Sequence, residues 1–211
     1  MLINEEKREI VLAVIEEVIG HNFKEVYNGR DTFDHWFWNE RKNLSLVSTA
    51  KSGVSKGAFF CKELPEIVIK VPIMYDADYC KKELDNYIKA EEEGFENYFA
   101  EIEYFGECEG IPFYIQVAAD NELARDSLWK SATEDAVING LCSADCSEDE
   151  KMDVVDGFLY DISDEDRIDI FFGGVSIEFL DFLMKNAIND LHEGNIGIIG
   201  ERKVIFDYSG W

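Results

Sequence analysis

Basic side chains are scarce in this chain: 20 Lys and Arg stand against 45 Asp and Glu, a formal charge of −25 over 211 residues. A surface that acidic repels nucleic-acid phosphates and anionic membranes, so neither is expected as a partner, whereas basic partners are attracted. Long apolar runs are missing too. Nothing approaches the roughly eighteen uninterrupted apolar residues of a membrane span. The opening Met1-Leu2-Ile3-Asn4-Glu5-Glu6-Lys7 lacks the basic-then-apolar order of a signal peptide, which predicts a cytoplasmic protein. Cysteine is odd in number, at Cys61, Cys80, Cys108, Cys142 and Cys146, and has no disulfide-framework spacing. Reduced, partly buried thiols are expected. Cys142 and Cys146 have no second Cys or His pair nearby, so a zinc site is not expected.

What is present is enough apolar material, 46% of residues, for one large or two small folded domains. The most informative stretch lies near the end. Asp190 and Asn195 in Asp190-Leu191-His192-Glu193-Gly194-Asn195 are separated by four residues. A tight loop of that length turns both side chains toward one point. Two apolar runs follow, Ile196 to Ile199 and Val204 to Phe206, split by Gly200-Glu201-Arg202-Lys203. That pattern predicts a β-hairpin, whose closure brings Asn195 at its entry beside Asp207 at its exit.

This run resembles the catalytic loop of the protein kinase-like superfamily, most closely its aminoglycoside- and choline-kinase-like branch, and Asp207-Tyr208-Ser209 looks like the D-F-G element. The resemblance implies an α+β fold with a five-stranded antiparallel N-lobe and a reduced helical C-lobe. It implies Asp190 as catalytic base, with Asn195 and Asp207 as Mg²⁺ ligands. His192 stands where protein kinases commonly carry a Lys near the γ-phosphate, so its imidazole is a candidate nucleotide contact.

Upstream, Glu5 to Ile19 has helical apolar spacing at Ile10, Val11, Val14, Ile15 and Val18, with Gly20 as the expected stop. This helix would brace the N-lobe or dock a partner. The aromatic run Phe33 to Trp38 reads as a core anchor before it reads as a ligand platform. Leu44–Val47, Gly57–Cys61 and Glu66–Val71 read as three strands. The loop from Ser52 to Gly57 carries Gly53, Ser55 and Gly57, small residues that let backbone N–H groups approach phosphate oxygens.

Val68-Ile69-Lys70 resembles the strand whose Lys reaches the α- and β-phosphates. A helix capped by Asp76 or Asp78 and ending near Glu93 has Cys80, Leu84, Tyr87 and Ile88 as its inward face, with Glu83 on the margin, thirteen residues past Lys70. Glu83 can supply the ion pair that positions Lys70, with Glu91 to Glu93 less suitably placed. Ala100–Phe105 and Phe113–Ala118 complete the small lobe around a turn at Gly106 to Pro112. The resemblance puts Gln116 to Ala119 at the adenine edge. Residues 120–170 are acidic and show one capped helix from Ser147, and Ser176 to Ile188 reads as a buried helix.

Three parts are thus expected: 1–43, an N-terminal helix and aromatic segment; 44–118, the N-lobe; and 119–211, a reduced C-lobe with an acidic insertion. Departures from the family are the end at Trp211, with no activation segment, and Ile188-Asn189 in place of the His and Arg of H-R-D. The expected activity is ATP-binding, Mg²⁺-dependent phosphoryl transfer to a basic acceptor, an amine or a Lys/Arg-rich protein. Two other readings stand beside it: a catalytically silent pseudokinase that binds a regulatory partner, and an acidic DNA-mimic inhibitor.

Overall fold

The computed structural model describes residues 3–53, 55–73, 77–143 and 145–208. The architecture is α+β with a five-stranded antiparallel sheet, as predicted, and the chain divides into two compact units. One comprises Met1–Glu96 and Ala100–Ala118, the other Asn97–Phe99 and Ala119–Trp211.

The first unit contains helices α1 (Glu5–Val18), α2 (Lys24–Tyr27), α3 (Phe33–Glu40) and α4 (Ala77–Glu93). Its strands are β1 (Val47–Ser52), β2 (Lys56–Cys61), β3 (Ile67–Pro72), β4 (Ile102–Cys108) and β5 (Ile111–Val117), in spatial order β1-β2-β3-β5-β4. Asn4 caps α1 by accepting from the Lys7 N–H, and Val11, Val14, Ile15 and Val18 form its buried stripe. Gly20 is not the stop. The chain leaves α1 through a widened turn, Ile19–Phe23, in which Asn22 takes the left-handed φ of +63° that Asn tolerates.

That turn matters because it sends Phe23 into the core. Phe23, Phe33, Trp36 and Phe59 meet at centroid distances of 5.0 to 6.4 Å, and Trp36 Nε1 donates to the His21 carbonyl at 2.7 Å. Residues before 44 therefore share one core with the sheet, alongside Ile69, Ile115 and Phe113. The aromatic run is an anchor. The β4–β5 turn is tighter than expected: Glu109 and Gly110 both have positive φ, and Cys108 pairs with Ile111. Gly106 lies inside β4, at a register shift after Tyr104, where a glycine admits a bulge.

The second unit holds α5 (Asn121–Ile138), α6 (Glu148–Asp161), α7 (Asp164–Phe172), α8 (Ile177–Lys185) and the hairpin β6 (Ile196–Ile199) to β7 (Arg202–Ile205). Asp120, Ser147, Ser163 and Ser176 each accept from a backbone N–H three residues on, and Ser147 forms a full capping box with Glu150. The acidic stretch, in which the sequence shows one capped helix from Ser147, thus holds three helices, the last ending at Phe172. Helix α8 stops at Lys185, three residues before Ile188, and buries Phe179, Phe182 and Leu183, whereas Ile177 and Met184 are exposed. Tyr98 stacks on Phe179 at 3.9 Å, and Phe99 contacts Phe179, Phe182 and Tyr208 edge-on. Among the described residues no helix is long and apolar enough to cross a membrane, and none of the five cysteines is in a disulfide.

Candidate active site

In the first unit, Lys70 is on the central strand β3 and Glu83 is at the middle of the buried face of α4. That face consists of Cys80, Glu83, Asn86, Tyr87 and Ala90, so Glu83 is central where its sequence neighbours suggest a margin, and Ile88 points outward. Lys70 Nζ donates to Glu83 Oε1 at 2.5 Å, with Glu83 wholly buried and Lys70 nearly so. The structure therefore brings these two predicted residues together. It also brings a third that the sequence reading left without a role: Lys56 Nζ donates to the other oxygen, Glu83 Oε2, at 2.6 Å.

Sheet register explains the convergence. Ala58 pairs with Lys70 across β2 and β3, and Lys56 is two residues before Ala58, hence on the same face. On β5, Tyr114 is opposite Lys70 and pairs with the same face. Burial pushes its phenol up to about 12, with the nearby Cys80, Tyr104, Asp85 and Glu107 adding to the shift, so it stays a neutral neighbour of the lysines.

Between β1 and β2 the Gly53 N–H donates to the Lys56 carbonyl at 3.0 Å and the Ser55 carbonyl accepts from the Ile73 N–H. A side chain at Gly53 would meet nothing within 4 Å. Gly57 is different: it lies in β2, and a Cβ there would come within 2.4 Å of the Phe33 ring, so its smallness makes room for α3. Farther along, the Val117 N–H donates to the Glu101 carbonyl at 3.0 Å and the Ala118 N–H to Glu66 at 2.8 Å. These two amides are engaged inside the first unit.

In the second unit the loop before β6 is held at several points. Asn195 is buried, and its Nδ2 donates to the Asp190 carbonyl at 2.7 Å, closing the loop end to end. Asn121, at the start of α5, donates to both the Glu193 and Ile196 carbonyls at 2.7 and 2.9 Å. The Leu191 N–H donates to Asp164 Oδ2 at 3.2 Å. Asp164 in turn pairs with the buried Arg167, which also donates to the Leu159 carbonyl at 2.7 Å.

His192 folds back over Gly194, whose N–H donates to Nδ1 at 2.9 Å; a Cβ on Gly194 would collide with the ring at 2.4 Å. With Nδ1 accepting, the neutral ring carries its proton on Nε2, which is 3.6 Å from Asp190 Oδ1. The imidazole therefore faces the carboxylate of Asp190.

Hairpin closure brings Asn195 opposite Phe206, the residue before Asp207: Ile196 pairs with Ile205, and the Phe206 N–H donates to the Asn195 carbonyl at 2.9 Å. The next residue, Tyr208, is buried against Phe99 and anchors Asp207 from the other side. Asp120 adds a bridge to Ile198 in both directions, and Gly197 is needed there because a Cβ would meet Ala119 at 2.4 Å. An amide oxygen and a carboxylate are the hard-oxygen donor types that Mg²⁺ takes, one or two from the protein with water and phosphate completing its shell. The Asn195 amide nitrogen is spent on Asp190, so its oxygen is the atom left to serve as ligand. Among the described residues no group of three or more His, Cys, Asp or Glu forms an all-protein metal cage. The expected caps and elements at Asp76 and Ser209 fall outside the described residues.

Beside this loop the second unit has a cavity of about 940 Å³, lined by Asp190, His192 and Glu193 together with Glu122, Asp126, Asp156 and Asp164. Arg125 and Arg167 are its basic lining residues, and Trp129 and Tyr160 its aromatic ones.

No family model and no curated protein matches this chain. Among solved structures, that of APH(2")-IIia in complex with GDP and kanamycin is similar to it over 84% of this chain and 72% of the other, at 12% identity and a TM-score of 0.33.

Proposed function

We propose that this chain is a kinase-like phosphotransferase that binds Mg²⁺-ATP and passes a phosphoryl group to a cationic acceptor. The observation that carries the reading is the buried pair of Lys70 and Glu83 at 2.5 Å. A charged pair taken out of water costs desolvation that hydrophobic packing would avoid, so its presence on a central strand points to a task beyond stability. In this reading Lys70 binds the α- and β-phosphates and Glu83 fixes its position. Gly53 and Ser55 bring backbone toward the phosphates.

Asn195 and Asp207 hold the metal, which when bound neutralises charge on the phosphate oxygens. Asp190 orients the acceptor and takes its proton. His192, facing Asp190, steadies that carboxylate. The acceptor is a polyamine-like or Lys/Arg-bearing molecule, because the cavity beside Asp190 presents Glu122, Asp126, Asp156 and Glu193.

The test is a thermal-unfolding scan with and without Mg²⁺-ATP, on the natural protein and on Asp207→Asn. Ligand at one hundred times its dissociation constant stabilises the folded state by about 2.7 kcal/mol. A shift that requires Mg²⁺ and is lost in the variant supports the site, and no shift at millimolar ATP refutes it. Asp190→Asn then separates catalysis from docking: binding retained with transfer lost fits Asp190 as base.

A further inference from the structure

Two lysines, not one, are fixed on the same carboxylate, and the second has no part in the scheme above. Lys56 and Lys70 are diagonal neighbours on one face of β2 and β3, and each takes one oxygen of Glu83, at 2.6 and 2.5 Å. All three side chains are nearly or wholly buried, at 6%, 7% and 0% exposure. A lysine in a strand ordinarily runs its stem along the sheet and keeps its ammonium in water. Lys56 does not.

If the only task were to tie α4 to the sheet, one lysine would suffice, and a second buried ammonium would add desolvation cost. What the second does add is a further positive point charge with three donors, held in place before any ligand arrives. Its location is specific as well. Lys56 is the first residue of β2, directly after the Gly53–Ser55 connection, and its own carbonyl closes that turn by accepting from Gly53. A displacement of Lys56 would therefore move the loop too.

From this we infer that Lys56 is a second phosphate-binding lysine, so that Glu83 anchors a two-ammonium clamp for the polyphosphate of a nucleoside triphosphate. This rests on the nucleotide reading above. The clamp recognises the phosphate chain, so its energy is expressed toward ATP and hardly toward adenosine. Lys56→Met, which keeps the stem and removes the charge, is expected to weaken Mg²⁺-ATP binding at least tenfold and leave adenosine binding unchanged. Lys56→Arg should recover part of the loss. Lys70→Met should weaken ATP similarly, and the double variant further.

A readout on the natural protein avoids any dependence on the variants folding. An acyl-phosphate derivative of ATP transfers its acyl group to an amine near the phosphates, and peptide mass spectrometry then shows which lysines carry it. Labelling of both Lys56 and Lys70, competed by ATP, is the expected result. Labelling of Lys70 alone, or ATP affinity unchanged in a folded Lys56→Met, overturns the clamp while leaving the nucleotide reading intact. No labelling at either lysine together with no thermal shift by Mg²⁺-ATP overturns that reading itself.

Discussion

Asp164 holds the backbone of Leu191: its Oδ2 accepts the Leu191 N–H at 3.2 Å while its Oδ1 pairs with Arg167. The first residue of α7 is thereby fastened to the loop immediately after Asp190. Asp164→Ala removes the acceptor from a partly buried amide and leaves the buried residue Arg167 without its carboxylate. The expected loss is about 1–3 kcal/mol in urea unfolding. Amide hydrogen exchange at Leu191 should accelerate, and Asp164→Asn, which keeps an acceptor, should restore most of the protection. Unchanged exchange at Leu191 in Asp164→Ala would show that the loop is held by Asn121 and Asn195 alone.

The Glu83 anchor gives a prediction of opposite signs. Glu83→Ala strands two buried ammonium groups, and breaking a buried pair from one side costs about 3–5 kcal/mol. Replacing the whole group at once, with Lys56→Met, Lys70→Met and Glu83→Leu, removes the desolvation cost along with the attraction. That triple variant is expected to be at least as stable as the natural protein and to bind no Mg²⁺-ATP. Chemical denaturation of both forms and of the natural protein decides it: a triple variant less stable than the natural protein would mean that the ions contribute net stability.

Gly57 in β2 and Gly53 before it should separate in the same way. A Cβ at Gly57 would be 2.4 Å from the Phe33 ring, an overpacking expected to cost about 1–3 kcal/mol. Phe33→Leu should relieve it, giving a coupling measurable in a double-mutant cycle. Gly53→Ala meets no atom within 4 Å and should leave stability within about 0.5 kcal/mol, while any loss of Mg²⁺-ATP affinity would report the loop's approach to phosphate. Equal effects of the two substitutions on stability would contradict this division.

The elements legible in the sequence were those with local signals. The β6–β7 hairpin declared itself by two apolar runs around Gly200, and its closure follows from pairing alone. Lys70 and Glu83 were recognisable through the resemblance, since Val68-Ile69-Lys70 is similar to the strand with a phosphate-contacting Lys and Glu83 is on the helix that follows. Lys56 was not, because its strand begins one residue earlier than the apolar run that marked it. Helix α5 was hidden by its own chemistry: its buried face is Ala124, Leu128, Ala132 and Ala136, too small to show as apolar periodicity. Asp164 and Asn121 reach Leu191 and Glu193 across 27 and 72 residues, and no local pattern announces a hydrogen bond between side chain and distant backbone. The same holds for Gly194, whose need for a missing Cβ arises only once His192 folds over it.

Glu17 links the N-terminal helix to the sheet in a pH-dependent way. Its carboxylate accepts from the Ser45 N–H and hydroxyl at 2.7 and 2.5 Å and from the Leu46 N–H at 2.9 Å, which fastens α1 to the chain entering β1. Burial by itself raises its pKa, but the Ser45 hydroxyl, the Leu46 and Ser45 amides and His21 outweigh it, and the net shift is downward. A carboxylate with a lowered folded pKa adds stability that is fully present above the unfolded value of about 4.3. That contribution is lost as pH falls through the folded value. The difference in melting temperature between the natural protein and Glu17→Gln should therefore be largest near neutrality and shrink toward zero on acidification below the ordinary carboxylate range. Melting curves across that range supply the check. A difference that stays constant would assign the role of Glu17 to packing, because only a charged acceptor loses its advantage on protonation.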